Sequence, residues 1–165
     1  MTAPRRRGAV VVLCAAGVAD ALYMLAYQKG WIDAMVCPFF GTGCETVARS
    51  PQARLLGVSN AAIGAAGYAV MGALALALGG RSARAPALAL GGAVGAGVVA
   101  SAVLTWEQAY RVRAWCFWCL GSAAINLALV PLVVPDVRTA LAARRGLTRP
   151  WSRSRRSHAR STAAR

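Results

Sequence analysis

The sequence predicts an all-α membrane protein, a four-transmembrane-helix bundle, and three observations carry that expectation. The apolar fraction is 58%, above the roughly 45–50% of soluble domains. The apolar residues gather into four stretches, each close to the ~20 residues a helix needs to cross a bilayer. The charge is lopsided, 19 Lys and Arg against 5 Asp and Glu, for a formal net charge of +14. In a soluble protein that excess would first suggest nucleic acid. Arginines placed at chain ends and in short connections, between long uncharged stretches, belong instead to membrane topology, and no nucleic-acid partner is expected.

A basic segment, residues 1–8, opens the chain with Arg5, Arg6 and Arg7. The first span runs from about Ala9 to Tyr27. It follows its arginines as a secretory signal would, but it exceeds the ~7–15-residue core of such a signal and no small-x-small cleavage pattern closes it. The second span covers about Val58 to Leu78, the third about Pro86 to Trp106, and the fourth about Trp115 to Val134. Residues 9–135 therefore read as one four-helix membrane domain. From 136 to 165 the composition turns to arginine, alanine and serine, a basic tail expected to be disordered. Leu141 and Leu147 would support a short interfacial helix at most. The tail reads as a topology anchor that touches anionic lipid, with His158 a solvated bystander.

The cations sort by side. Three lie in the N-terminal segment, two (Arg81 and Arg84) in the second connection, and nine beyond Pro135. The first and third connections hold only Lys29, Arg49, Arg54, Arg111 and Arg113, partly offset by Asp33, Glu45 and Glu107. Because Lys and Arg are retained on the cytoplasmic side during insertion, both termini are expected in the cytoplasm of a multi-pass cell-membrane protein, with the first and third connections outside. Within the spans, Gly91 with Gly95 and Gly92 with Ala96 are spaced for close helix packing. Asp20 interrupts the first span at a cost on the order of 2.5–3.5 kcal/mol, so it should face the bundle or carry a proton.

Four of the five cysteines fall on the outward side. Cys37 and Cys44 lie in the first connection, in Cys-Pro-Phe-Phe-Gly-Thr-Gly-Cys. Cys116 and Cys119 form Cys-Phe-Trp-Cys at the head of the fourth span. Cys14, inside the first span, reads as core packing. Residues three apart on a helix share a face, at a separation a disulfide can bridge. The unsatisfied amides of a helix N-terminus favour a thiolate there, and a better leaving group makes a more oxidising disulfide. The other pair closes if Pro38, Gly41 and Gly43 turn the chain back. Two pairs in series would relay electrons from water to lipid, giving the bundle an outward-facing redox loop. Zinc is a weaker reading, since six intervening residues is loose for a metal site and no histidine is near. Two purely structural disulfides are the other alternative, and Trp115, Phe117 and Trp118 would serve equally as an interfacial belt.

At these residues the sequence resembles the vitamin K epoxide reductase family, in its bacterial quinone-reducing branch. The resemblance covers about Leu22 to Leu132. It rests on the order and spacing of the two cysteine pairs, on Leu22-Tyr23, on Ser50 six residues after Cys44, on Ser59-Asn60-Ala61-Ala62-Ile63-Gly64, and on Cys119-Leu-Gly-Ser-Ala-Ala-Ile-Asn126. It implies a thiol oxidoreductase supporting disulfide formation, with Cys37, Cys44, Cys116 and Cys119 catalytic. It implies a quinone of the menaquinone or ubiquinone type as electron acceptor, held by Asn60 with help from Ser50, no metal, and electrons supplied by a separate thioredoxin-fold protein. Two departures stand out. Ala123 occupies the place where some members carry a tyrosine, and nothing in these 165 residues could form the thioredoxin-like domain that many bacterial relatives carry. Two rivals remain: a four-helix quinone-linked disulfide oxidase of another class, whose Cys-x-x-Cys usually sits in the first outward loop, and a non-enzymatic membrane scaffold with structural disulfides.

Overall fold

The computed structural model describes residues 2–79 and 83–147. Four long helices dominate it: α1 (Ala3–Gln28), α3 (Asn60–Ala77), α4 (Arg84–Glu107) and α5 (Phe117–Leu147), with a short α2 (Gly43–Arg49) in the first connection. All four long helices are apolar and long enough to cross a membrane. They form a ring in chain order, α1 against α3 and α5, and α4 against α3 and α5.

Each helix buries a narrow seam. On α1 it is Val10, Cys14, Gly17, Ala21 and Met24, on α3 Tyr68, Met71 and Ala75, on α4 Ala87, Leu90 and Val94, and on α5 Asn126, Leu129 and Val133. The alternating three- and four-residue spacing is that of helices crossing at small angles. Outside the seams the helices expose Val12, Val70, Leu76, Val99 and Leu127, as a lipid-facing surface should.

Small residues set the closest approaches. A Cβ on Gly17 would enter the Tyr68 ring, one on Gly91 would meet Val137, and one on Gly97 would meet Asn126. Gly91 therefore packs as its spacing predicts, whereas Gly92 and Gly95 face open space. The expected Gly91/Gly95 face is replaced by Gly91 and Gly97, because the contact follows the crossing of α5 rather than the repeat on α4 alone.

Two spans differ from the sequence reading. Val58 and Ser59 are not helical. They pair with Arg54 and Leu55 in a two-stranded hairpin, turned by Leu56 and Gly57 at positive φ. Ser59 then caps α3 by accepting the N–H groups of Ala61 and Ala62, which stops the helix from starting earlier. At the other end of the chain, α5 does not stop near Val134 but runs through Pro131 and Pro135 to Leu147. Residues 136–147, read as the start of a disordered tail, are helical. Asp136 is tied to Arg6 at 2.7 Å, Val137 rests on Gly91 and Ala140 is buried; these contacts offset the hydrogen bonds the prolines forgo. The basic residues from 148 onward, with His158, lie outside the described residues, as does Arg81.

The ion pair also fixes the arrangement of ends. Arg6 and Asp136 meet at one end of the bundle, while the first and third connections meet at the other, where a second apolar cluster forms around Met24, Tyr27, Met35, Cys44, Val47, Ala48 and Cys116.

Candidate functional site

The first connection folds down onto the end of the bundle instead of standing away from it. Phe39 and Gly41 adopt positive φ and reverse the chain, so that Cys37 and Cys44 come together in a disulfide with a Cα–Cα distance of 5.6 Å. Of the turn residues expected from sequence, Gly41 supplies the left-handed conformation. Gly43 has a different role. A Cβ there would collide with the carbonyl oxygen of Trp115, so the absence of a side chain lets the backbone beside Cys44 touch the backbone beside Cys116.

Val36 clamps the loop in place. Its N–H donates to the Tyr23 hydroxyl at 2.9 Å, and its carbonyl accepts the Trp118 indole N–H at 2.7 Å. The Tyr23 and Trp118 rings pack with centroids 4.8 Å apart. Glu45 holds the other side of the turn by accepting the Met35 N–H at 3.2 Å. Replacing Trp118 by Phe keeps the ring packing and removes one bond worth about 1 kcal/mol. The expected result is about a fivefold rise in the open population of the loop, read as faster amide exchange at Val36 with the disulfide intact.

Cys116 stands immediately before α5, one residue outside the apolar span that begins at Phe117. It is fully buried. Its sulfur accepts the Cys119 N–H at 3.3 Å, the geometry of a capping side chain, and lies 3.9 Å from the Met24 sulfur. Its own N–H is satisfied by the Gln108 side chain at 2.8 Å. The Cys119 thiol and the N–H groups of the first helical turn hold the Cys116 thiol below its ordinary pKa, against the opposing effect of burial. Cys116 and Cys119 are both free thiols here, Cys119 half-buried one turn further into the helix.

All four cysteines thus belong to one apolar cluster, with Cys44 and Cys116 at its sealed centre and Cys37 and Cys119 on its margin. Cys14 sits apart in the other core, among Val10, Met71 and Leu90.

Asn60 and Ser50 lie beside this cluster and not within it. Asn60 is the first residue of α3, and its side-chain N–H donates to the Gln52 carbonyl at 2.7 Å; the adjacent Ala61 packs against the cysteine cluster. The helix cap is Ser59, so capping is not what Asn60 does. The Ser50 hydroxyl donates to the Val47 carbonyl at 2.7 Å, a local bond at the end of α2. Asp20 faces the bundle, as expected, and accepts the Ser122 hydroxyl.

Sequence reasoning gave no role to Gly43, Val36, Glu45, Gln108 or Trp118 in joining the two pairs. Gln108 had a usable signal, an amide eight residues before Cys116 at the end of an apolar stretch, where a buried polar group must find a partner. Val36 had none, because it contributes only backbone groups.

The described residues also enclose a pocket of about 620 Å³ between the end of α1 and α2, with Lys29, Arg49 and Arg54 in its walls and none of the four cysteines. The profile of the vitamin K epoxide reductase family matches residues 9–134. No curated protein gives a significant match.

Proposed function

The chain belongs to the vitamin K epoxide reductase family, a family of membrane thiol oxidoreductases, and from that premise we propose that it oxidises the dithiol of a thioredoxin-fold partner and passes the electrons to a quinone. The observation that carries the reading is the docking of the loop disulfide on the helix dithiol through the bare backbone of Gly43. Two structural staples would have no use for that contact, nor for a free thiol pair beside a bonded one.

The exposures order the steps. Cys37, on the margin, is attacked by a partner thiolate, and a mixed disulfide forms as Cys44 leaves. The partner's second thiol releases the reduced loop. The Cys44 thiolate then attacks Cys116 of an oxidised helix pair, and Cys119 leaves as a thiolate. Cys37 attacks Cys44 to restore the loop disulfide and frees Cys116. The helix dithiol now closes to its disulfide while two electrons and two protons convert quinone to quinol. Asn60 has two side-chain hydrogens. One bonds Gln52 and fixes the amide, and the other donates to the quinone oxygen where negative charge develops. Ser50 steadies the turn that leads to Asn60. Positive charge at the Arg6 end supports an orientation with both termini in the cytoplasm and the redox site outside.

The test mixes purified, fully reduced protein with a short-chain quinone and follows thiol loss and quinol formation together; one quinol per two thiols is expected. Cysteines whose redox state ignores quinone would leave only the scaffold reading. Cys37→Ala should block oxidation of a thioredoxin-fold partner while small thiols, which can reach Cys119 on the cluster margin, still drive quinol formation in the same assay.

A further inference from the structure

Asp20 lies about two turns inside the end of α1, and the steps above do not use it. Asp33, Glu45 and Glu107 sit in connections or near helix ends, and Asp136, within α5, is paired with Arg6. Asp20 has a hydroxyl for its partner instead: Ser122 of α5 donates to Oδ2. Its Oδ1 faces the bare Cα of Gly121, where an added Cβ would come within 3.7 Å. Tyr68 of α3 donates to the carbonyl of the same Ser122 at 2.9 Å, so α1, α3 and α5 join their polar groups at one residue.

That residue is three positions after Cys119, on the same helical face and about 4.5 Å further along the axis. Ala123, next in line, offers no hydrogen-bonding side chain. One turn beyond, Asn126 bonds Ser101 at 2.9 Å, and past it the core is closed by Val10, Leu90, Leu129 and Val133. These polar groups therefore lie on the cysteine side of that closed core and do not continue to the Arg6 end.

A lipid-soluble electron acceptor reduced at this depth needs protons where bulk water is excluded. We propose that Asp20 is the proton-transfer residue of the quinone step, acting through the Ser122 hydroxyl. The inference rests on the quinone-reducing reading given above. The two sulfurs, released as thiolates by the relay, each take up a proton from outward water before the quinone step. As the Cys116–Cys119 bond forms, both S–H bonds break and two electrons go to the quinone. The Asp20 proton passes through Ser122, whose hydroxyl both donates and accepts, to one quinone oxygen. The Cys119 proton returns Asp20 to its acid form. The Cys116 proton is released to outward water, and water supplies the proton for the second quinone oxygen. Nothing accumulates on the protein, and all protons exchange on the cysteine side.

Asp20→Asn tests this in the full-length protein, because an amide oxygen still accepts the Ser122 hydroxyl while the side chain can no longer carry the proton. With a short-chain quinone as probe, kcat should fall about tenfold. This is less than the usual ~10²–10⁴ of general acid–base catalysis, since outward water can partly substitute. KM for the quinone and the rate at which dithiothreitol opens the Cys37–Cys44 disulfide should not change, and Asp20→Glu should recover part of the loss. Wild-type turnover in Asp20→Asn would overturn the proposal, as would a parallel loss of loop reduction or a Glu variant as impaired as the Asn one. Failure of the wild type itself to make quinol would instead remove the quinone reading, and this inference with it.

Discussion

Cys119→Ala should abolish quinone-dependent thiol oxidation, a loss on the order of 10³-fold or more, because the residue supplies the bond-forming sulfur itself. The loop disulfide should survive, since Cys37 and Cys44 are bonded to each other and the loop is held by Val36, Tyr23, Trp118 and Glu45. What remains in the variant is a lone, fully buried Cys116 beside that disulfide. Its thiolate can exchange with the loop, attacking Cys44 and displacing Cys37; with Cys119 gone the mixed disulfide cannot be resolved from the helix side, and only the return of Cys37 reverses it. A Cys44–Cys116 cross-link should therefore be trapped when an alkylating reagent caps the displaced Cys37, and appear by peptide mapping under non-reducing conditions. Quinone reduction equal to wild type would remove Cys119 from the electron path. A cross-link through Cys37 instead would invert the order of the loop cysteines.

Gly43→Ala should uncouple the two pairs without destroying either. The added Cβ would collide with the Trp115 carbonyl oxygen, and backbone on both sides leaves nothing flexible to yield. The loop must lift, and a displacement of ~1 Å at reacting atoms costs on the order of 10²-fold. Gly43 is not among the residues at positive φ, so alanine is conformationally acceptable there and the disulfide should still close. The expected signature is normal reduction of Cys37–Cys44 by a thiol, normal oxidation of the helix dithiol by added quinone, and about a hundredfold slower transfer between them in a single turnover. The overpacking should also cost about 1–3 kcal/mol of stability, seen as a lower melting temperature in detergent. Transfer at the wild-type rate would mean that the docked arrangement is not the one that reacts.

Much of this molecule is legible in its sequence. The four spans follow from hydropathy, because in a bilayer the backbone must satisfy its own hydrogen bonds and a helix does so within one segment. The grouping of the first and third connections at one end follows from the parity of the spans, and the meeting of Arg6 with Asp136 at the opposite end agrees with it. The cysteine pairs are visible as spacing, and the loop pair is bonded as that spacing allows. Legibility stops at helix ends and at backbone contacts. Ser59 ends the second span's reach toward Val58 through its side-chain cap, and α5 passes two prolines because Arg6 and Gly91 receive what lies beyond them.

Which residue types the chain could use for redox chemistry, and at which end of the bundle, was determined by the sequence alone, because apolar length, charge parity and cysteine spacing are local properties. Only the tertiary structure decided that the loop lies down on α5 rather than swinging free, that Gly43 is the point of contact, and that Asp20 reaches Ser122 beneath Cys119. Those are meetings between segments roughly 70 to 100 residues apart, set by how helices cross and by backbone groups that are the same in every residue, so no spacing along the chain could encode them.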